Sequence, residues 1–286
     1  MSKILVVGSL HYDIMVDAHH RPEKGETVIG TKCSYKFGGK GGNQAIASAK
    51  CGVDVRFFGA VGNDDHGKYL LKILRDNAID IDYVQTINNI PSGMSVATTD
   101  AEGDYGAVVV SNANTMIDVD LLCVDALWKD VSMLILQNEV PEIVNIRAAA
   151  EAKLRKIPVC INAAPAKVIS SELFSLIDLL VVNGVEARDM CGISVNSLDN
   201  ALSAAHKLHN DYSKVVVTAG EYGVAYVDEC ISGSIPAEKI ELVSTHGAGD
   251  CFMGVLCQAL IKKHSLQDAV KMANHAAALH VSQKAN

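Results

Sequence analysis

The sequence predicts an α/β protein with a mostly parallel central sheet, helices on both of its faces and a small β-sheet lid. Three observations carry this prediction. Short apolar, β-branched runs alternate with helical patterns through the second half of the chain. Polar residues recur just after those runs, at the edge where open α/β sheets bind ligands. Two pairs of alternating segments punctuated by glycine and proline interrupt the pattern in the first half.

Residues 4–7 form a short apolar run ended by Gly8, as expected of a buried parallel strand. From Val119 onward, strands are expected at 133–136, 159–161, 179–182 and 215–218, and helices at 141–156, 172–177, 197–209 and 266–281. The lid is expected from short strands between 14 and 37, such as 26–29 and 33–37, and from a hairpin of 95–99 with 105–110 whose turn suits Gly103. The expected division is a core of residues 1–12, 38–93 and 111–286, with 13–37 and 94–110 as the lid.

The chain has 286 residues, a formal charge of −8 and about half apolar residues, enough for one large domain or two modest ones. The acidic balance argues against nucleic acid or an anionic membrane surface as partner, so an anionic substrate would need locally placed cations. Eight cysteines are scattered without a zinc-like spacing, which suggests reduced thiols and a cytoplasmic protein. No stretch is long enough to span a membrane or serve as a signal peptide. Neither H-E-x-x-H nor G-x-S-x-G occurs, leaving metallohydrolase and serine-hydrolase readings unsupported.

The densest chemical signal is Ser244-Thr-His-Gly-Ala-Gly-Asp-Cys-Phe-Met-Gly, which reads as a small-residue turn from a strand at 240–243 into a helix. The free N–H groups of Gly247, Ala248 and Gly249, with the helix dipole, make an anion trap. Asp250 follows, where a carboxylate would repel a phosphate unless it had its own task. A helix N-terminus favours its ionised form, so it is expected to accept a proton from a substrate hydroxyl while the backbone donors hold a transferring phosphoryl group. An ordinary aspartate cap with glycines for packing accounts for the same stretch equally well.

A second glycine-rich stretch, Phe37-Gly-Gly-Lys-Gly-Gly-Asn-Gln-Ala, feeds another helix. Its backbone N–H groups, Lys40 and Asn43 are expected to reach a ligand. Gly62-Asn-Asp-Asp-His-Gly-Lys-Tyr nearly spells a P-loop, but Tyr69 replaces the magnesium-binding hydroxyl and two aspartates fill the cradle; it reads as a capped helix start at 64–66. Asp13 lies past the first strand, placed for polyol hydroxyls or as a turn former. Glu139, Asn162, Asn183, Glu186, Thr218 and Gly220 follow later strands, and Glu186 is a candidate for orienting magnesium-bound water. Each alone fits a helix cap equally well.

The two glycine motifs, in this order on an alternating β–α chain, resemble the PfkB-type carbohydrate kinases, and within them the ribokinase branch. The resemblance also runs through Gly8-Ser-Leu-His-Tyr-Asp, Gly62-Asn-Asp, Gln137-Asn-Glu-Val-Pro, Asn162-Ala-Ala-Pro-Ala, 183–187 and Thr218-Ala-Gly. It implies a ribokinase-like three-layer fold, ATP with Mg²⁺, a sugar acceptor and a homodimer formed through the lid. Asp250 matches the base and 247–249 the anion hole. His11, Asp13, Gly39, Lys40, Asn43 and Glu139 match the sugar site. Asn183, Thr218, Gly220, Gly223 and Asn274 match the nucleotide side, and Glu186 the magnesium region.

Three departures bear on these expectations. His11 stands where ribokinases carry an asparagine that touches the sugar, which counts against ribose itself. Ser244 stands where an aspartate commonly helps bind an activating potassium ion, and the chain ends at Asn286 where the family pattern continues. Both count against K⁺ activation, and the second leaves the adenine side of the pocket open. A kinase of another sugar or nucleoside, fructose-like or adenosine-like, and a catalytically weak sugar- or nucleotide-binding regulator are the rival readings.

Overall fold

The computed structural model describes residues 2–102, 105–241 and 247–282. Gly103, Ser244 and the second half of the expected strand at 240–243 lie outside them; Ile240 and Glu241 are not in a strand.

The central sheet begins with β1 (Lys3–Val7), whose β-branched residues are wholly buried. A four-stranded sheet leaves the core at this point: β2 (His11–Asp17) pairs antiparallel with β3 (Lys32–Gly38) and parallel with β6 (Met94–Thr99), which pairs with β7 (Tyr105–Val110). The alternating 26–29 stretch forms no strand, because no neighbouring segment offers it a hydrogen-bonding edge.

Between these strands the core continues through α1 (Lys40–Lys50), β4 (Asp54–Gly62), α2 (Asp65–Asp76) and β5 (Asp80–Ile87). The near P-loop is a capped helix start, with Asp64 accepting from the Gly67 N–H.

The remaining chain runs β8 (Val131–Gln137), α3 (Glu142–Leu154), β9 (Val159–Asn162), α4 (Ser171–Phe174), β10 (Leu179–Asn183), α5 (Gly184–Cys191), α6 (Leu198–His209) and β11 (Val215–Thr218). These follow the alternation expected from the sequence. An antiparallel pair not anticipated there, β12 (Gly223–Val227) and β13 (Ser232–Pro236), extends the edge before α7 (Ala248–Ile261) and α8 (Leu266–Ser282).

The nine-stranded order is β13-β12-β11-β10-β9-β8-β1-β4-β5, parallel except at β12 and β13. Buried residues form two apolar clusters, one on each face of the sheet, so the three-layer α/β expectation holds. Among the described residues, no helix is long and apolar enough to cross a membrane, and all eight cysteines are free thiols.

Helices α1 and α7 cross closely. A Cβ on Gly254 would lie 2.7 Å from the backbone of Ala47 and Ser48, so this glycine sets their separation. The crossing brings the two glycine motifs together from opposite ends of the chain.

Candidate active site

A cleft of about 1100 Å³ opens between the small sheet and the carboxyl edge of the central one. Strands β1, β8, β9, β10 and β11 all end toward it, as ligand sites in open parallel sheets do. His11, Asp13, Gly39, Lys40, Asn43 and Glu139 line one part, and Gly247, Ala248, Gly249 and Asp250 lie against it. Asn183, Glu186, Thr218 and Gly220 line the other end. Gly223 and Asn274 do not line the cleft. Gly223 has φ +119 and opens β12 where a Cβ would strike Ile235, while Asn274 donates to the Pro236 carbonyl at 3.2 Å.

The start of α7 meets the geometric requirements of an anion trap. Gly247 takes φ +76 as N-cap, and the first-turn N–H groups that follow have no carbonyl four residues earlier in the helix. Asp250, in that turn, accepts a 3.0 Å hydrogen bond from Gln44. Its expected easy ionisation needs correction. Burial pushes the Asp250 carboxyl above the usual carboxylate range, opposed first by the Lys40 ammonium and then by hydrogen bonding from Gln44, while Glu139 adds to the rise. The helix dipole does not outweigh desolvation.

The first glycine motif also departs from expectation. Phe37 and Gly38 end β3, and Gly39, with φ +89, is the single residue between that strand and the helix; 40–43 form the helix's first turn. The Lys40 N–H is satisfied by Glu139 at 2.8 Å and the Gly42 N–H by the Ser9 carbonyl at 3.0 Å, so these donors do not reach for a ligand. Gly41 is there for packing, since its Cβ would fall 2.6 Å from the Ser9 nitrogen. What the motif presents to the cleft is the side chains of Lys40 and Asn43.

Glu139 joins the two halves of this wall. Its Oε2 accepts from Ser9 Oγ at 2.5 Å as well as from Lys40, and lies 3.9 Å from His11 Nδ1. His11 is 3% exposed, and its Nε2 has no partner among the described residues. Asp13 is not in the turn after β1 but within β2, on the face turned to the cleft, where its Oδ1 accepts from Ser95 Oγ at 2.6 Å. A Cβ on Gly38 would sit 2.0 Å from Asp13 Oδ2, so glycine is required beside it.

At the other end, Asn183 and Glu186 form a capping box at the head of α5. The Glu186 oxygens accept from the Asn183 N–H at 2.7 Å and its amide at 2.9 Å. Burial pushes this carboxyl up, against the pull of those hydrogen bonds and of Lys40. Among the described residues no group of three metal-ligating side chains occurs. Glu186, a cleft-lining carboxylate outside any such group, fits a cation that keeps most of its water.

Sequence reasoning missed Lys36, Ser95 and Arg188, which also line the cleft, and Gln44 beneath it. Gln44 follows Asn43 directly and shares a helix face with Lys40, so helical spacing held a signal. The two further basic residues supply the local cations that the acidic composition demanded.

Comparison with known proteins agrees with this geometry. The family model for pfkB family carbohydrate kinases matches residues 1–285. A curated ribokinase from Bacillus subtilis is 34% identical over 283 residues, covering 98% of this chain and 93% of its own length. The solved structure of Arabidopsis thaliana ribokinase complexed with ribose and ATP superimposes with a TM-score of 0.91 at 29% identity, covering 100% of this chain and 94% of that one. A ribokinase from Cryptococcus neoformans in complex with ADP has a TM-score of 0.87 at 25% identity, over 99% and 95%. A match spanning nearly every residue, on a fold that joins both glycine motifs in one cleft, means that the chain belongs to the pfkB family of carbohydrate kinases.

Proposed function

We propose that this enzyme transfers the γ-phosphoryl group of ATP to the 5-hydroxyl of D-ribose. The observation that carries the reading is that Asp250 lies between the open N-terminus of α7 and a wall of polar and charged side chains in a single cleft. The named relatives at about 30% identity support ribose as the acceptor.

In the proposed reaction, Asp13, Asn43 and Glu139 hold the sugar hydroxyls, and His11 contacts the ring. Asp250 takes the hydroxyl proton as the oxygen attacks phosphorus, the bond to the β-phosphate bridging oxygen breaks, and ADP departs. The N–H groups of 247–249 face the charge on the transferring group. A carboxyl held above its ordinary range by burial suits a base that works near neutral pH. Lys40 faces both Asp250 and Glu186 electrostatically, which suits a cation poised between acceptor and phosphates.

Asn183, Thr218 and Gly220 lie on the nucleotide side in this reading. Gly223 and Asn274 act only through the β12–β13 edge. Glu186 would hold Mg²⁺ through water, and the ion would supply charge neutralisation on the phosphates. Equal turnover in potassium and sodium buffers is the expectation set by Ser244.

A cytoplasmic setting fits the eight unbridged thiols. A homodimer through the small sheet fits its outer face, where Tyr35, Val96, Val108 and Val110 lie exposed together. Sedimentation at graded concentration tests that assembly.

A coupled ADP-release assay over pentoses, hexoses and nucleosides tests the activity. Ribose-dependent ADP release, with ribose 5-phosphate as product, is expected. Sugar binding without ADP release would leave the binding-protein reading instead.

A further inference from the structure

Beneath Asp250 runs a row of buried amides that the proposed reaction does not use. Gln44 and Gln137 are wholly buried, Asn145 nearly so, and Asn162 borders the cleft. Gln44 Nε2 donates to Asp250 Oδ1 at 3.0 Å and to Asn162 Oδ1 at 3.2 Å. Gln137 Nε2 donates to Gln44 Oε1 at 2.8 Å, and Asn145 Nδ2 donates to the Gln137 carbonyl at 2.8 Å.

The orientation of each amide follows from its neighbours. Asn162 Nδ2 donates to the Val181 carbonyl at 3.3 Å, so its oxygen faces Gln44. An ionised Asp250 can only accept. Gln44 therefore turns its NH₂ toward both, and its carbonyl must face Gln137. Gln137 then has to offer its own NH₂, leaving its Oε1 buried and without a partner among the described residues. That oxygen packs against the backbone of Gly8, where a Cβ would stand only 2.0 Å away. A stranded buried acceptor is costly. Here the cost falls on the one arrangement that aims a donor at Asp250.

We propose that Gln44 is a positioning residue for Asp250, and that Gln137 locks Gln44 in the amide orientation that donates to it. The proposal rests on Asp250 being the base. The donor, together with hydrogen bonding from Asn43, favours the ionised carboxylate, offsetting part of the burial that opposes it, and holds Oδ1 in place. The other titratable groups around this site are Lys40, Glu139 and, beyond it, His11 across the cleft, Cys251 on the same helix, and His280 of α8 beside Gly247.

The test is the pH profile of kcat at saturating ribose and ATP for the wild type, Gln44→Met and Gln137→Met, with folding checked by near-ultraviolet circular dichroism. Gln44→Met keeps the shape and removes the donor. Its acid limb is expected at higher pH, so that the ratio of kcat at about pH 8.5 to that at about pH 6 rises at least ~3-fold over wild type. Gln137→Met is expected to move the limb the same way by less, because the donor remains but can turn. An acid limb left in place by Gln44→Met overturns the proposal, whether or not the plateau falls. If that variant does not fold, an unmoved limb in Gln137→Met overturns it. Failure of the underlying reading looks different: Asp250→Asn would then retain turnover at every pH.

Discussion

Replacing Gly254 by alanine tests the link between helix packing and chemistry. The added Cβ would meet backbone atoms of Ala47 and Ser48 at 2.7 Å, where an ordinary contact begins at 3.4 Å. Backbone cannot rotate away as a side chain can, so α1 and α7 must separate by about 0.7 Å, the difference between those distances. The same movement would stretch the Gln44–Asp250 hydrogen bond, now 3.0 Å, past useful length. Overpacking of this kind costs about 1–3 kcal/mol, read as a lower urea midpoint at unchanged slope. Activity should change in character as well: the acid limb of kcat should move to higher pH, because Asp250 loses a donor to its charged form. A stability loss with an unmoved limb would refute the coupling; unchanged stability would refute the packing argument itself.

Other expectations follow from the same geometry. Asp13→Ala removes the carboxylate held by Ser95 and should raise the ribose KM by about 10-fold or more with a smaller change in kcat, since hydrogen bonds to charged groups contribute about 1.5–3 kcal/mol; a normal KM would remove Asp13 from the sugar site. Burial raises the folded-state carboxyl of Asp250 above its unfolded value, so the unfolded chain loses its proton first and this group lowers stability as pH rises through that interval. Asp250→Asn should therefore melt higher than wild type near pH 8 and similarly near pH 4; equal melting at both would contradict that environment. The Cys251 thiol, beside the base, is pushed up to about 11 by burial, so alkylation near pH 8 should be slow there. Rapid modification at Cys251, located by peptide mapping, would contradict its burial.

Much of the fold was legible because its signals are local. The Asp64 cap, the apolar runs of β8 to β11 and the small-residue turn before Asp250 announce themselves within a few residues. Asp13 was placed too early, because the strand that holds it is defined by pairing with β6, some eighty residues later. Residues 26–29 alternate like a strand, yet alternation does not provide a partner. Gly41 and Gly42 looked like a ligand loop, and the same lack of Cβ serves close packing on 8–10. Helical spacing set Gln44 beside Lys40, but its role was not legible because it is made by β8, β9 and α7, none of them near it in sequence. The ionisation of Asp250 was misjudged for a related reason: the helix terminus is readable locally, while the burial that overrides it is not.

The most direct measurement is ribose-dependent ADP release by Asp250→Asn and Asp250→Ala beside wild type, with ribose binding followed in parallel by calorimetry. Turnover is expected to fall by ~10²–10⁴-fold while ribose affinity changes far less. Near-wild-type turnover in either variant would contradict the assignment of this carboxylate as the base.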